Sequence, residues 1–147
     1  TALSVGEDHS CVVRSNGDAW CWGANQMGQL GDGTNDYSSV PKPATLLTGV
    51  SWLAAGSLHT CAAQGDGFAW CVGYAPDGQL GTRLQESFDI YAKRVFDLGD
   101  IWKVAGGYQH SCAILTDRSI WCWGDNTSGQ LGTGPIQDKN VPAQVVK

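Results

Sequence analysis

Charge is scarce in this 147-residue chain: Asp, Glu, Lys and Arg together supply 16% of it. The nine Lys and Arg residues are scattered, and the formal net charge is −5. With no basic stripe and a net repulsion from phosphates, nucleic-acid binding is excluded. No apolar run approaches the roughly 18–20 residues of a membrane-spanning helix. The C-x₂₋₄-C pairs usual in zinc sites are missing. So are the Lys-Ser/Thr ending of a phosphate loop and the helix that follows a dinucleotide fingerprint. Asp32-Gly33-Thr34-Asn35-Asp36 offers oxygens suited to calcium, but without the alternating acids and distal Glu of an EF-hand it reads as a polar turn. No metal and no cofactor is expected. Thr1 opens the chain with neither a Met nor a charged-then-apolar leader, so a processed, trimmed or excerpted product is expected.

Glycine and tryptophan are abundant instead, at 20 and 7 residues, as suits an all-β chain with many tight turns. The sequence also repeats. HSCVVRSNGDAWCWG at 9–23 returns as HTCAAQGDGFAWCVG at 59–73 and as HSCAILTDRSIWCWG at 110–124. GQLG follows each copy, at Gly28–Gly31, Gly78–Gly81 and Gly129–Gly132. A period of about 50 residues means one supersecondary unit arrayed three times, approximately 1–50, 51–101 and 102–147. Residues that recur in every unit serve the unit, so a unique site is sought where the units differ.

Within a unit, short β-prone runs flank Ser15-Asn16-Gly17, a three-residue hairpin turn. The paired cysteines, Cys11 with Cys21, Cys61 with Cys71 and Cys112 with Cys122, lie ten residues apart. Pairing them centres the hairpins on Asn16, Asp66 and Asp117, the same loops that the turn residues mark. The third loop has Arg118 where Gly is expected. Directly opposed residues of an antiparallel pair come close enough for disulfide geometry, so one bridge is predicted within each hairpin. It contributes roughly 2–3 kcal/mol by chain entropy. The pleat places Trp20 and Trp22 on the face opposite Cys21, next to Val12. Zinc held by His9, Cys11 and Cys21 is the competing reading. An even cysteine count locked to a repeat favours a disulfide framework in an oxidising, extracellular compartment. Two further strands per unit, around Val50–Ala54 and after Val40-Pro41, give about four short antiparallel strands in each. That is the blade of a β-propeller, with Pro suited to its edge.

The pattern G-x-x-H-[ST], a hairpin ending W-C-W-G-x-N-x-x-G-Q-L-G, and then V-P resembles the repeat of the regulator of chromosome condensation family. It stands here as Gly6, His9, Ser10, Trp22, Gly23, Asn25 and Gly28–Gly31, and again as Gly107, His110, Ser111, Trp123, Gly124, Asn126 and Gly129–Gly132. The resemblance covers the whole chain and implies a β-propeller, typically of seven blades. Three features depart from the pattern. The middle copy has Val72 for the second Trp, and its segment Arg83–Asp97 is charged and aromatic without Val-Pro. The hairpin cysteines suit secreted relatives. Three blades cannot close a ring, so they belong to a longer chain, close with copies of themselves, or stack openly.

No catalytic residue is assigned. His9, His59 and His110 recur in one context and read as structural, as do Ser10, Thr60 and Ser111. Asn126-Thr127-Ser128 is a glycosylation sequon on an expected surface loop. Five tryptophans recur in the hairpins and are expected in blade cores, while at least one of Trp52 and Trp102 is expected to point outward. The candidate interface is Tyr37, Phe88, Tyr91, Arg94, Phe96 and Trp102, because exposed aromatics beside Arg anchor protein interfaces. The function expected is a non-enzymatic extracellular propeller segment that binds a protein or copies of itself, with a subunit of an extracellular fibre or appendage as the structural version. Glycan binding is the alternative. Guanine-nucleotide exchange, the activity for which the family is best known, is disfavoured by the cysteines, the acidic charge and the short repeat count.

Overall fold

The computed structural model describes residues 1–45 and 47–146, and among them there is no helix. Twelve strands form three four-stranded antiparallel sheets. The first sheet holds β1 (Ala2–Val5), β2 (His9–Val13), β3 (Ala19–Gly23) and β4 (Ser38–Pro43). The second holds β5 (Val50–Ala55), β6 (His59–Gln64), β7 (Ala69–Tyr74) and β8 (Phe88–Arg94). The third holds β9 (Ile101–Gly106), β10 (His110–Leu115), β11 (Ile120–Gly124) and β12 (Lys139–Gln144). Strands pair in chain order within each sheet. β5 touches both β1 and β9, so the first strand of each sheet lies innermost and the fourth forms the outer edge. These are propeller blades, as the repeat implied. The outer edges β4 and β12 carry Pro41, Pro43 and Pro142, which cannot donate to an adjoining strand.

Cysteine register sets each hairpin. Cys11 opposes Cys21, Cys61 opposes Cys71 and Cys112 opposes Cys122, each with Cα atoms 4.1 Å apart and each bridged. All six cysteines are thereby engaged, and none is free for zinc. Val12 opposes Trp20, so the tryptophans lie on the face opposite the disulfide. At the hairpin tips Gly17 and Gly67 take φ of 84° and 86°, and Arg118 takes 71°. The third hairpin thus keeps the left-handed turn at a residue with a Cβ, where it is less favourable.

Each blade packs its disulfide face on the tryptophan face of the next. Between blades 1 and 2, Cys11, Val13, Ala19 and Cys21 meet Leu53, Ala62 and Val72. Between blades 2 and 3, Ala54, Cys61, Ala63, Ala69 and Cys71 meet Val104, Ala113 and Trp123. Burial of a tryptophan therefore depends on its neighbour. Trp123 is fully buried, whereas Trp20, Trp22, Trp70 and Trp121 are half-buried, which corrects the expectation that all five are core.

Removing the central staple by Cys61→Ala with Cys71→Ala is expected to lower unfolding free energy by about 3 kcal/mol, the chain-entropy value for so short a loop. A urea midpoint unchanged from the parent chain would show that the bridge constrains nothing.

Candidate functional site

The recurring polar residues meet in the seams between blades. His9 Nε2 lies 2.8 Å from Thr60 Oγ1, and Thr60 Oγ1 donates to the Gln29 carbonyl at 2.7 Å. His59 Nε2 lies 2.8 Å from Ser111 Oγ, which donates to the Gln79 carbonyl at 2.9 Å. Since each hydroxyl gives its single hydrogen to a carbonyl, the imidazole Nε2 must carry its own hydrogen and donate it. Nδ1 is then a bare acceptor, and in His9 and His59 it is buried without a partner. A proton there would be a buried donor facing nothing, which costs free energy. Burial accordingly pulls His59 down to about 3 and His9 to about 4, with the Asp8 carboxylate partly offsetting the latter. Burial also lowers His110, against the pull of Asp125.

The glycine three residues before each histidine has a mechanical reason. A methyl group on Gly56 would sit 2.6 Å from His59 Nδ1, and one on Gly6 would sit 2.6 Å from His9 Nδ1. The ring lies flat on the glycine Cα, so G-x-x-H is a packing unit. Asn25 and Asn126 do another recurring job. Asn126 is 1% exposed; its Nδ2 donates to the Pro135 carbonyl, and its Oδ1 accepts from the Leu131 amide. A glycan on that buried nitrogen would have no room and would compete with its bond to the Pro135 carbonyl, so the surface-sequon reading of Asn126 is corrected. Asn25 binds the Leu30 amide in the same way and reaches Asp32 Oδ1. Asp32 also caps Thr34, so the loop considered for calcium is internally bonded. Among the described residues no group of three His, Cys, Asp or Glu is placed to hold a metal.

The proposed interface residues are all exposed, but they fall in two places. Phe88, Tyr91 and Arg94 lie along β8, the outer edge of blade 2. Tyr91, 54% exposed, reaches Gly33 of the blade 1 loop that leads to exposed Tyr37. Phe96 follows, with the Arg83 guanidinium 5.2 Å from its ring, and Arg94 lies 3.9 Å over Phe68. Trp102 belongs elsewhere, on innermost β9, where the register against β10 shifts between Ile101 and Lys103. Such an irregularity re-aims a side chain, and Trp102 is 56% exposed. It borders a groove of about 470 Å³ with Gln64, Asp66, Asp100 and Thr116. The Lys103 ammonium lies 4.1 Å from the Trp52 ring and 4.4 Å from the Trp102 ring. Sequence reasoning missed exposed Tyr108. It occupies a G-x-x-H position where the other blades have Glu7 and Ser57, and that departure from the repeat was the available signal.

The seam histidines give acid sensitivity a sign. An unfolded histidine titrates near 6.5, so between that value and about pH 4 the unfolded chain binds more protons than the folded one. Stability present at pH 7 therefore falls as pH drops below about 6.5, by about 1.4 kcal/mol per pH unit for each histidine. Urea midpoints recorded from pH 7 to 4.5 should show this slope, and His59→Gln, which offers Ser111 an amide donor, should flatten it. A midpoint independent of pH in the parent chain would contradict the assignment.

Residues 1–29 and 103–130 match one model of the Regulator of chromosome condensation (RCC1) repeat, and residues 16–63 and 117–147 match a second. Among curated proteins, 97% of the chain is 32% identical to the Ultraviolet-B receptor UVR8 of Arabidopsis thaliana, covering 33% of that protein. Over 99% of the chain it is 44% identical to the Probable E3 ubiquitin-protein ligase HERC4 of Rattus norvegicus, covering 14% of it. The chain thus spans a third or less of these relatives. Among solved structures, yeast RCC1 (Prp20) bound to Kap60 superposes with a TM-score of 0.88 at 22% identity, over 100% of this chain and 37% of that one. Human WBSCR16 gives 0.86 at 21% identity, over 98% of this chain and 37% of that one. With the seams, the hairpins and the GQLG turns all accounted for by one repeating unit, the chain belongs to the RCC1 repeat family of β-propellers.

Proposed function

We propose that this chain is a protein-binding propeller segment that performs no chemistry of its own and works in an oxidising, extracellular compartment. The observation that carries the binding reading is the blade 2 rim, where Phe88, Tyr91 and Phe96 stay exposed beside Arg83 and Arg94. Aromatic and arginine side chains of this kind dominate binding energy in protein interfaces. The rim falls in the divergent segment, so it is specific to one blade. Of the histidines and hydroxyls that could suggest catalysis, His9, Thr60, His59 and Ser111 are engaged in the seams. A solved structure of yeast RCC1 (Prp20), which has this fold, is a complex with Kap60. The hairpin disulfides support the compartment, since cytosolic thiols are kept reduced.

Placing a photo-crosslinking benzoylphenylalanine at Tyr91 is expected to give one discrete adduct in the medium of the producing cells. Arg94→Glu should reduce it at least about fivefold, the loss of roughly 1 kcal/mol. The same material, alkylated without reductant, should gain no mass. No adduct, or an equal adduct from exposed Thr127, would defeat the binding reading, and alkylation of the six cysteines would defeat the compartment.

Glycan binding is the second reading, favoured by Trp102 over the groove of Gln64, Asp66, Asp100 and Thr116. An open indole face with carboxylate and amide groups around it fits a sugar ring, with apolar contact and a few convergent polar groups. Retention on a glycan array that disappears in Trp102→Ala would support it. An array without hits, or hits unchanged by that substitution, removes it.

A further inference from the structure

The Trp102 groove has a counterpart one blade earlier, and the two differ in chemistry rather than in size. Arg14, Asn16, Gly49 and Ser51 border a groove of about 440 Å³ between blades 1 and 2. Their equivalents between blades 2 and 3 are Gln64, Asp66, Asp100 and Trp102, around about 470 Å³. Backbone bonds fix the correspondence, because the Val50 amide donates to the Gly17 carbonyl as the Ile101 amide donates to that of Gly67. From the first groove to the second, Arg14 is lost, two carboxylates and the Trp102 indole are gained, and Lys103 takes the place of Trp52. Every wall of the second groove comes from residues 51–67 and 100–116. None of it depends on what adjoins the first or last blade.

The added carboxylates are not spent on the fold. Asp100 takes φ of 55°, the left-handed conformation that Gly49 takes at 62°. Aspartate is among the few side chains that tolerate it, so the turn is preserved while a charge is added at the groove. Among the described residues the Asp100 carboxylate has no hydrogen-bond or ion-pair partner. Asp66 accepts only the Phe68 amide, at 3.1 Å. Lys103 borders the same groove but lies beyond ion-pair reach of both. Its ammonium rests instead against the Trp52 and Trp102 rings, which are thereby already in use as a cation surface. With that contact made, Trp102 still exposes 56% of its surface. An open indole thus shares a groove with two carboxylates that nothing neutralises.

We propose that this groove binds an amino sugar through its ammonium group. A pyranose with equatorial substituents has an apolar C–H face, which lies on the Trp102 indole. An equatorial ammonium projects from the rim of that ring and donates to Asp100 and Asp66. Charge-assisted bonds of this kind are about twice as strong as neutral ones, and the indole itself attracts the cation. An N-acetylated sugar has the same ring without the charge, and it leaves a carboxylate covered and unpaired, which is costly. Lys103, held against the two indoles, braces Trp102 and leaves the carboxylates to the ligand. The inference rests on the glycan reading of the groove and names its sugar class, and it leaves the blade 2 rim free.

Calorimetric titration of the full chain at about pH 6, where an amine is protonated, tests it with two ligands. They are a chitosan tetramer, whose amines are free, and a chitin tetramer, whose amines are acetylated. The chitosan tetramer should bind at least about tenfold more tightly. Asp100→Asn should abolish that preference with circular dichroism unchanged, because asparagine tolerates the same left-handed backbone. Trp102→Ala should weaken both ligands. Asp36→Asn, which removes an exposed carboxylate from the blade 1 loop, should alter neither. Equal affinities for the two tetramers, or no binding of either, overturn the proposal. So does a preference that survives Asp100→Asn, or one that falls as far in Asp36→Asn. Tetralysine bound as tightly as the chitosan tetramer overturns it too, and makes the groove a reader of basic peptides. Glycan-array hits that vanish in Trp102→Ala but show no preference for free amines keep the glycan reading and sink this inference alone.

Discussion

One hydroxyl hydrogen holds two blades in register. Thr60 can donate only once, and it donates to the Gln29 carbonyl, so His9 must carry a hydrogen on Nε2, and its buried, unpartnered Nδ1 keeps the ring neutral. From that requirement much of the recurring sequence follows. The imidazole has to lie flat to reach across the seam, and Gly6 clears the space beneath it. The Gln carbonyl has to be presented at the blade edge, and the turns that begin with Asn25 and Asn126 present it by bonding the amides of Leu30 and Leu131. Where a tryptophan also donates, as Trp123 does, the Gln79 carbonyl uses both lone pairs. Val72 in blade 2 leaves the first seam with one donor fewer, and that seam relies more on the apolar contacts of Leu53, Ala62 and Val72.

A histidine committed in this way is a poor general base. Its free nitrogen is buried, and its protonated form is penalised well into acid. The seam hydroxyls are likewise spent on backbone carbonyls. Recurrence therefore moves the search for function to what is not repeated, namely the β8 rim and the re-aimed Trp102. The two surfaces differ in kind. The rim carries arginine among its aromatics, whereas the Trp102 groove is lined by Gln64, Asp66, Asp100 and Thr116.

Hairpins, disulfide pairing and blade architecture were legible because each rests on local cues that agree. Cysteine spacing and turn residues placed the same three loops, and even Arg118 did not disturb the register. The Asn126 sequon misled because a three-residue pattern says nothing of burial, although Asn25, at the same repeat position without a sequon, hinted at a structural job. Tryptophan burial was not legible. Trp22 and Trp123 share a repeat position and differ in exposure only because one has a blade in front of it. The seam itself joins residues 51 and 52 apart. No feature of a single unit states that its histidine reaches the hydroxyl of the next.

Cohesion here has two tiers that respond to different chemistry. Within a blade the disulfide constrains the hairpin by limiting the unfolded chain, and it is indifferent to mild acid. Between blades the seam depends on a neutral histidine and is indifferent to reductant. Reduction should therefore loosen blades whose seams are still paired, while acid should part blades whose hairpins are still stapled. The second order of events would leave intact four-stranded units with their Cys and Trp faces uncovered, able to pair again with whichever matching face they meet first. Such re-pairing requires only that the faces be interchangeable, and the shared His, Ser/Thr and Gln positions of the three blades make them so.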